Sequence, residues 1–250
     1  MKWLKESKRV VITTNNYCNL QCPRCVTGCD KIGHEWNKDG PWEVDLEDVR
    51  LLLDKIGEHI PEIRLLGGEV TAMPLDKVKA LIDLIVSYDI PLSILTNGYK
   101  ILNLDKEYLT KFEYIVLDGH GINEDHLDNI EVELKKMEIL KVHRLKRYDY
   151  FDVEFCAEHL PKTEECIILN GLIGFYKGTL YPCCCPYYNK EDIGSIMGSW
   201  NVHSPEFINV VSAYDLPEAF WTYCYNSCTW RTPSDERPTI DIRPYVTGVP

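Results

Sequence analysis

The sequence predicts an α/β fold built on a parallel sheet, and three observations predict it. Short β-branched runs alternate with amphipathic helices along the first two-thirds of the chain. Glycine and polar breaks fall at the carboxyl ends of those runs. The 45% hydrophobic content is enough for a packed core. Strands that alternate with helices pair in parallel through right-handed crossovers, and their ligands gather at the carboxyl ends of the strands.

Val10-Val11-Ile12-Thr13-Thr14 is the first expected strand, because β-branched residues suit a buried pleated surface. Asp45 is placed to cap a helix with apolar residues at Leu46, Val49, Leu52, Leu53 and Ile56. Ile63 to Leu66 reads as a strand that stops at Gly67-Gly68. After Pro74, the positions Leu75, Val78, Leu81, Ile82 and Ile85 form one apolar helix face. Leu92 to Thr96 is a strand ended by Asn97-Gly98, Tyr114 to Leu117 another ended by Asp118-Gly119, and Phe151 to Phe155 a later one. Beyond Pro161 the pattern changes to short strands with tyrosine and cysteine clusters, so the domain boundary is expected near there.

Charge and composition exclude some functions. A net charge of -12, from 27 basic and 39 acidic residues, argues against nucleic acid, whose phosphates are bound by neutralising Lys and Arg. The basic run Lys141-Val142-His143-Arg144-Leu145-Lys146-Arg147 reads as a solvated face. Met1 to Arg9 has no apolar stretch of signal-peptide length, and the longest apolar runs are strand-sized. A cytoplasmic protein with no membrane partner is the expectation. Eleven cysteines in such a chain point to metal or redox chemistry rather than disulfides.

Cys18, Cys22 and Cys25 follow the first strand with C-x3-C-x2-C spacing. Three thiolates from one loop can converge on a single four-iron cluster and leave one iron open for a ligand. A zinc site using Cys18, Cys22, Cys25 and Cys29 is the competing reading. The motif resembles the signature of the radical S-adenosylmethionine (SAM) superfamily. That resemblance implies a [4Fe-4S] cluster whose open iron chelates SAM, and reductive cleavage of SAM to a deoxyadenosyl radical that takes hydrogen from substrate. Gly67-Gly68-Glu69 then resembles the family's motif for the SAM amino group, where glycines allow close approach and a carboxylate suits an ammonium. Thr96-Asn97-Gly98 resembles the polar strand end that contacts SAM's ribose or carboxylate. Arg24 stands where an aromatic residue is common, and Val116 where many relatives carry serine.

A second group, Cys166, Cys183, Cys224 and Cys228, comprises four thiolates from two separated pairs, which suffice for an auxiliary [4Fe-4S] cluster. Structural zinc is the alternative. The arrangement resembles the twitch domain, a shortened SPASM extension, and the compact layout is similar to that of the deoxy-scyllo-inosamine dehydrogenases. The resemblance implies a partial (β/α)6 TIM-like barrel over residues 1–160, a twitch-like iron–sulfur domain over 161–235 and a tail over 236–250. It also implies a ferredoxin- or flavodoxin-type electron donor and a small-molecule or peptide substrate. Dehydrogenation is one expected outcome. Peptide epimerisation or crosslinking is another, with Cys184 or Cys185 as hydrogen donor. A non-enzymatic iron–sulfur or zinc scaffold is the third, and Glu69 with Thr96-Asn97 argues against it. The length leaves little room for a leader-peptide recognition domain, which favours a small molecule or a leader-independent peptide.

Overall fold

A computed structural model describes residues 9–20, 40–119, 124–146, 172–181 and 199–213. Strand β1 is Arg9–Thr13 and helix α1 is Leu46–Ile56. β2 is Ile63–Leu66, α2 Leu75–Val86, β3 Leu92–Thr96 and α3 Lys106–Leu109. β4 is Tyr114–Gly119, α4 Glu124–Lys136 and β5 Val142–Lys146. The later elements are β6 Leu172–Tyr176, β7 Thr179–Tyr181, β8 Trp200–Asn201 and α5 Phe207–Ala213. The expected strand at 151–155 lies outside the described residues.

The strands form one sheet in the order β5-β4-β3-β2-β1-β6-β7-β8. From β1 to β5 each new strand is added in parallel on the same side of the last. That single direction of winding puts the crossover helices on one face, as in a TIM-like barrel, rather than on both faces as in a doubly wound sheet. The reading of a parallel α/β core with partial-barrel character is therefore the fold observed.

Register sorts the side chains. Val10, Ile12, Ile63, Leu65, Leu92, Ile94, Ile115 and Leu117 are buried together with Val49, Leu52, Leu53 and Ile56 of α1 and Val78, Leu81, Ile82 and Ile85 of α2. Each buried aliphatic side chain contributes about 1.5–3 kcal/mol, which is why the helix periodicity was so regular in the sequence. Asp45 caps α1, its carboxylate accepting from the Glu47 amide at 2.9 Å. On the opposite face, register aligns Arg64, Ser93 and Tyr114 at the amino-terminal end. There Arg64 donates to Tyr114 Oη at 2.7 Å and Ser93 donates to Glu62 at 2.6 Å. This end of the concave face is thus occupied by mutually bonded polar side chains, and the carboxyl end carries the candidate site.

Two segments depart from the sequence reading. The basic run at 141–147 contains strand β5, paired with β4 from Ile115↔Val142 to Gly119↔Lys146. Charged side chains at the margin of a sheet hide its period-2 pattern. Here Arg144 is ion-paired to Asp128 at 2.5 Å and Lys141 to Glu113 at 2.5 Å. The second departure concerns the hairpin around Gly178. Expected within the separate C-terminal unit, it lies in the same sheet: β6 pairs in parallel with β1, Val10↔Ile173 to Ile12↔Phe175, and β7 turns back on it. The two-residue loop has positive φ at Lys177 (46°) and Gly178 (69°), the geometry of a tight hairpin turn that matches strand twist. Among the described residues no helix is long and apolar enough to cross a membrane.

Candidate functional site

The site is built where the chain leaves β1. Backbone pairing continues past the strand, with the Thr14 amide donating to the Leu66 carbonyl at 2.7 Å. Asn15 then stitches this extension to the Gly67-Gly68-Glu69 turn. Its Nδ2 donates to the Glu69 carbonyl at 2.7 Å and its Oδ1 accepts from the Gly68 amide at 2.7 Å. The Glu69 amide donates to the Tyr17 carbonyl at 2.9 Å. Gly67 is required by this seam: a Cβ there would lie 2.8 Å from Thr14 Oγ1 and 2.9 Å from both Asn15 N and Asn15 O. The close approach at Gly67 is one of main chain to main chain.

Asn16 and Tyr17 fix the other side of the loop. Asn16 donates to the Gly40 carbonyl at 3.0 Å and accepts from the Trp42 amide at 2.7 Å. The Tyr17 hydroxyl donates to Glu43, whose second oxygen meets Lys77 at 3.0 Å. Burial, together with the Glu43 carboxylate, pushes the Tyr17 phenol far above its ordinary value, so it stays a donor. Burial would raise Glu43, but Tyr17 and Lys77 outweigh it and hold that carboxyl below the usual range.

Glu69 is fully buried, at 1% exposure, and its carboxylate points into the protein. One oxygen is met by Thr96 Oγ1 at 2.6 Å, Thr71 Oγ1 at 2.7 Å and the Thr71 amide at 3.1 Å. The other accepts the Asn97 amide at 2.8 Å. Burial pushes its carboxyl up from the ordinary value, while these donors pull the opposite way and favour the anion. In this geometry the carboxylate braces the ends of β2 and β3 against each other.

Asn97 passes that order on to Cys18. Its Nδ2 donates to Cys18 Sγ at 3.2 Å and to Asn19 Oδ1 at 2.9 Å, and its Oδ1 accepts from the Tyr99 amide at 3.0 Å. The Leu20 amide also donates to Cys18 Sγ, at 3.2 Å. Two N–H donors aimed at one sulfur suit a thiolate, the form in which cysteine ligates iron, so the residues present fit the cluster that the motif implies. Cys18, Gly67, Gly68, Glu69, Thr96 and Asn97 therefore meet across the carboxyl ends of β1, β2 and β3. The chain belongs to the radical SAM superfamily. The family model for the radical SAM superfamily matches residues 12–163, more than half the chain, and spans these strand ends.

Radical SAM membership makes the chain an enzyme of SAM-cleaving radical chemistry, with a SAM-binding [4Fe-4S] cluster implied by the family. No curated protein matches it. Among solved structures, the radical SAM chain is similar in fold to Streptococcus suis SuiB bound to S-adenosylmethionine, with a TM-score of 0.53 and 14% identity over 86% of this chain and 67% of that one. Streptococcus suis SuiB bound to precursor peptide SuiA aligns at a TM-score of 0.42 and 10% identity, over 95% and 76%.

Cys22, Cys25, Cys166, Cys183, Cys184, Cys185, Cys224 and Cys228 lie outside the described residues. The sequence reading missed Asn15, Asn16 and Tyr17, all of which shape the loop of this radical SAM site. The signal was present: polar residues running without a break from a β-branched strand into a cysteine motif. It also left open the place of Asp118, which is 7% exposed and, by register with Val116 and Leu145, faces the concave side at the end of β4.

Proposed function

We propose that this radical SAM enzyme abstracts hydrogen from a peptide or small molecule at the carboxyl end of the β1–β4 sheet, with Cys18, Cys22 and Cys25 as the cluster ligands. The observation that carries the reading is the Asn97 contact to Cys18 Sγ at 3.2 Å, which joins the cysteine motif to the strand ends bearing Gly67-Gly68-Glu69 and Thr96. When bound and reduced, the cluster and SAM together supply a deoxyadenosyl radical. The chain's own part is orientation and exclusion of water. Gly67 and Gly68 offer main chain to SAM, Glu69 fixes the β2 and β3 ends, and Asp118 presents a polar group to substrate from β4.

A peptide is favoured by the fold shared with SuiB, a protein seen with precursor peptide SuiA. Cys166, Cys183, Cys224 and Cys228 are proposed to hold an auxiliary [4Fe-4S] cluster in a twitch-like segment. That cluster would accept an electron in a dehydrogenation of the kind the deoxy-scyllo-inosamine dehydrogenases perform. In an epimerisation, Cys184 or Cys185 would return a hydrogen atom. The electron is proposed to come from a ferredoxin or flavodoxin. Thiolate-held clusters need a reducing compartment, which supports the cytoplasm.

The test is anaerobic reconstitution with iron and sulfide counts, followed by reduction with SAM and chromatography for deoxyadenosine. About eight irons per chain is the two-cluster outcome, with deoxyadenosine lost when Cys18, Cys22 and Cys25 become Ala. About four irons with deoxyadenosine formed removes the auxiliary cluster. Stoichiometric zinc with no SAM cleavage removes the whole proposal.

A further inference from the structure

We infer that Asn97 is a positioning residue that sets the reduction potential of the SAM cluster, through the hydrogen bond from its side-chain amide to the Cys18 sulfur. The inference rests on Cys18 being a cluster ligand, as proposed above. The amide is 3.2 Å from Cys18 Sγ although the two residues are 79 positions apart in sequence. A second donor to that sulfur among the described residues, the Leu20 amide, comes from two residues along the same loop and follows from the loop's own turn. Asn97 instead reaches the sulfur from the end of β3.

Among the described residues, Glu69, Tyr99 and Asn19 fix the orientation of Asn97. Its main-chain amide is held by Glu69 Oε2 at 2.8 Å and its side-chain oxygen by the Tyr99 amide at 3.0 Å. The second amide hydrogen goes to Asn19 Oδ1 at 2.9 Å, so the NH2 group cannot rotate without losing a partner. The residue is 7% exposed, so water competes poorly for these bonds. Both side-chain hydrogens are spent inside the protein, on sulfur and on Asn19. The role inferred for this side chain is toward the thiolate, where the sequence resemblance implies a SAM contact.

The direction of the effect follows from charge. One-electron reduction adds a negative charge to the cluster and its thiolates, and an N–H dipole aimed at a ligand sulfur stabilises the more negative state. Removing the dipole therefore lowers the potential and makes the cluster harder to reduce. A hydrogen bond to a charged group is worth enough to change the one-electron equilibrium constant about tenfold, equivalent to about 59 mV.

The experiment is an anaerobic redox titration of the reconstituted full chain, followed by electron paramagnetic resonance. The cluster in question is identified as the one whose signal changes on adding SAM. Asn97→Ala and the near-isosteric Asn97→Asp are compared with wild type, with iron content and circular dichroism as checks. The expected result is wild-type iron content with a potential lowered about tenfold in equilibrium constant for Asn97→Ala, and further for Asn97→Asp. An unchanged potential with weaker SAM binding overturns the inference and returns Asn97 to a SAM contact. Loss of iron in both variants also overturns it, because Asn97 would then build the site rather than tune it. A Cys18→Ala protein that keeps the SAM-responsive signal overturns the ligand reading on which the inference rests, and is recognisable as a separate failure. In wild type, an exchangeable proton coupled to the reduced cluster and lost in Asn97→Ala is the expected spectroscopic signature. If that proton persists in Asn97→Ala, the bond is not the one described.

Discussion

Two glycines, one at the site and one remote from it, make a paired test of how the site is assembled. A methyl group at Gly67 would sit 2.8 Å from Thr14 Oγ1 and 2.9 Å from the Asn15 main-chain N and O. Two of those three atoms are backbone and cannot swing aside. The seam must open, yet it is held by the Thr14–Leu66 bond at 2.7 Å and the Gly68–Asn15 bond at 2.9 Å. Overpacking costs about 1–3 kcal/mol, and one weakened hydrogen bond adds about 1 kcal/mol. Gly67→Ala should therefore lose about 2–4 kcal/mol, which for a chain of this size lowers Tm by roughly 4–16 °C. Gly57, after α1, is the control. Its φ of -53° and ψ of -41° are helical, and an added Cβ would meet only ordinary contacts, the nearest Ile90 Cδ1 at 3.6 Å. Gly57→Ala should gain about 0.4–1 kcal/mol by restricting the unfolded chain. Thermal unfolding of both variants by circular dichroism gives the answer. A Gly67→Ala protein within a degree of wild type, or a Gly57→Ala protein that melts lower, would refute the geometry of the seam.

The buried Glu69 carboxyl titrates above its ordinary value of 4.5 because burial disfavours its anion. The folded state therefore holds its proton more tightly than the unfolded state does. That stabilising contribution is complete below the ordinary glutamate range and is lost as pH rises through the folded value. Glu69→Gln cannot ionise, so its stability relative to wild type should improve as pH increases across that window, as read from urea midpoints at several pH values; a constant difference would count against the buried acid. Phe175→Ala removes a fully buried ring on β6 and should cost about 3–5 kcal/mol in urea unfolding. A loss below about 1 kcal/mol would mean that β6 does not pack in the main core beside β1.

The legible parts of the sequence were those where a local rule and a global one agree. Asp45 with the α1 face, and the run after Pro74, gave helices because apolar spacing and burial coincide there. The strand ends at Gly67 and Asn97 could be placed because turn chemistry interrupts β-branched residues, whereas β4 runs two residues past Leu117, through Gly119. β5 was hidden since its side chains carry charge, and its pairing with β4 is invisible to periodicity. The position of β6 was hidden for a different reason: parallel pairing with β1 is a contact between distant parts of the chain, which no local pattern encodes. At the site, residue types revealed which groups gather but not which way they face. Reading Glu69 as a partner for an ammonium says nothing of the four protein donors that meet its carboxylate. Asn15 and Asn16 went unread because buried polar groups are recognisable only through their partners.

The placement of β6 against β1 also has a consequence during synthesis. β1 is made first, and β2 can pair with one of its sides almost at once. Its other side must wait for Leu172–Tyr176, which leave the ribosome more than 150 residues later. At ordinary elongation rates that delay is roughly ten to thirty seconds. Throughout it, a strand rich in valine and isoleucine presents unpaired amide and carbonyl groups to any neighbouring nascent chain. The strand that leads into the cysteine motif is thus sealed late, and a chain halted before residue 172 would carry an adhesive open edge just ahead of Cys18.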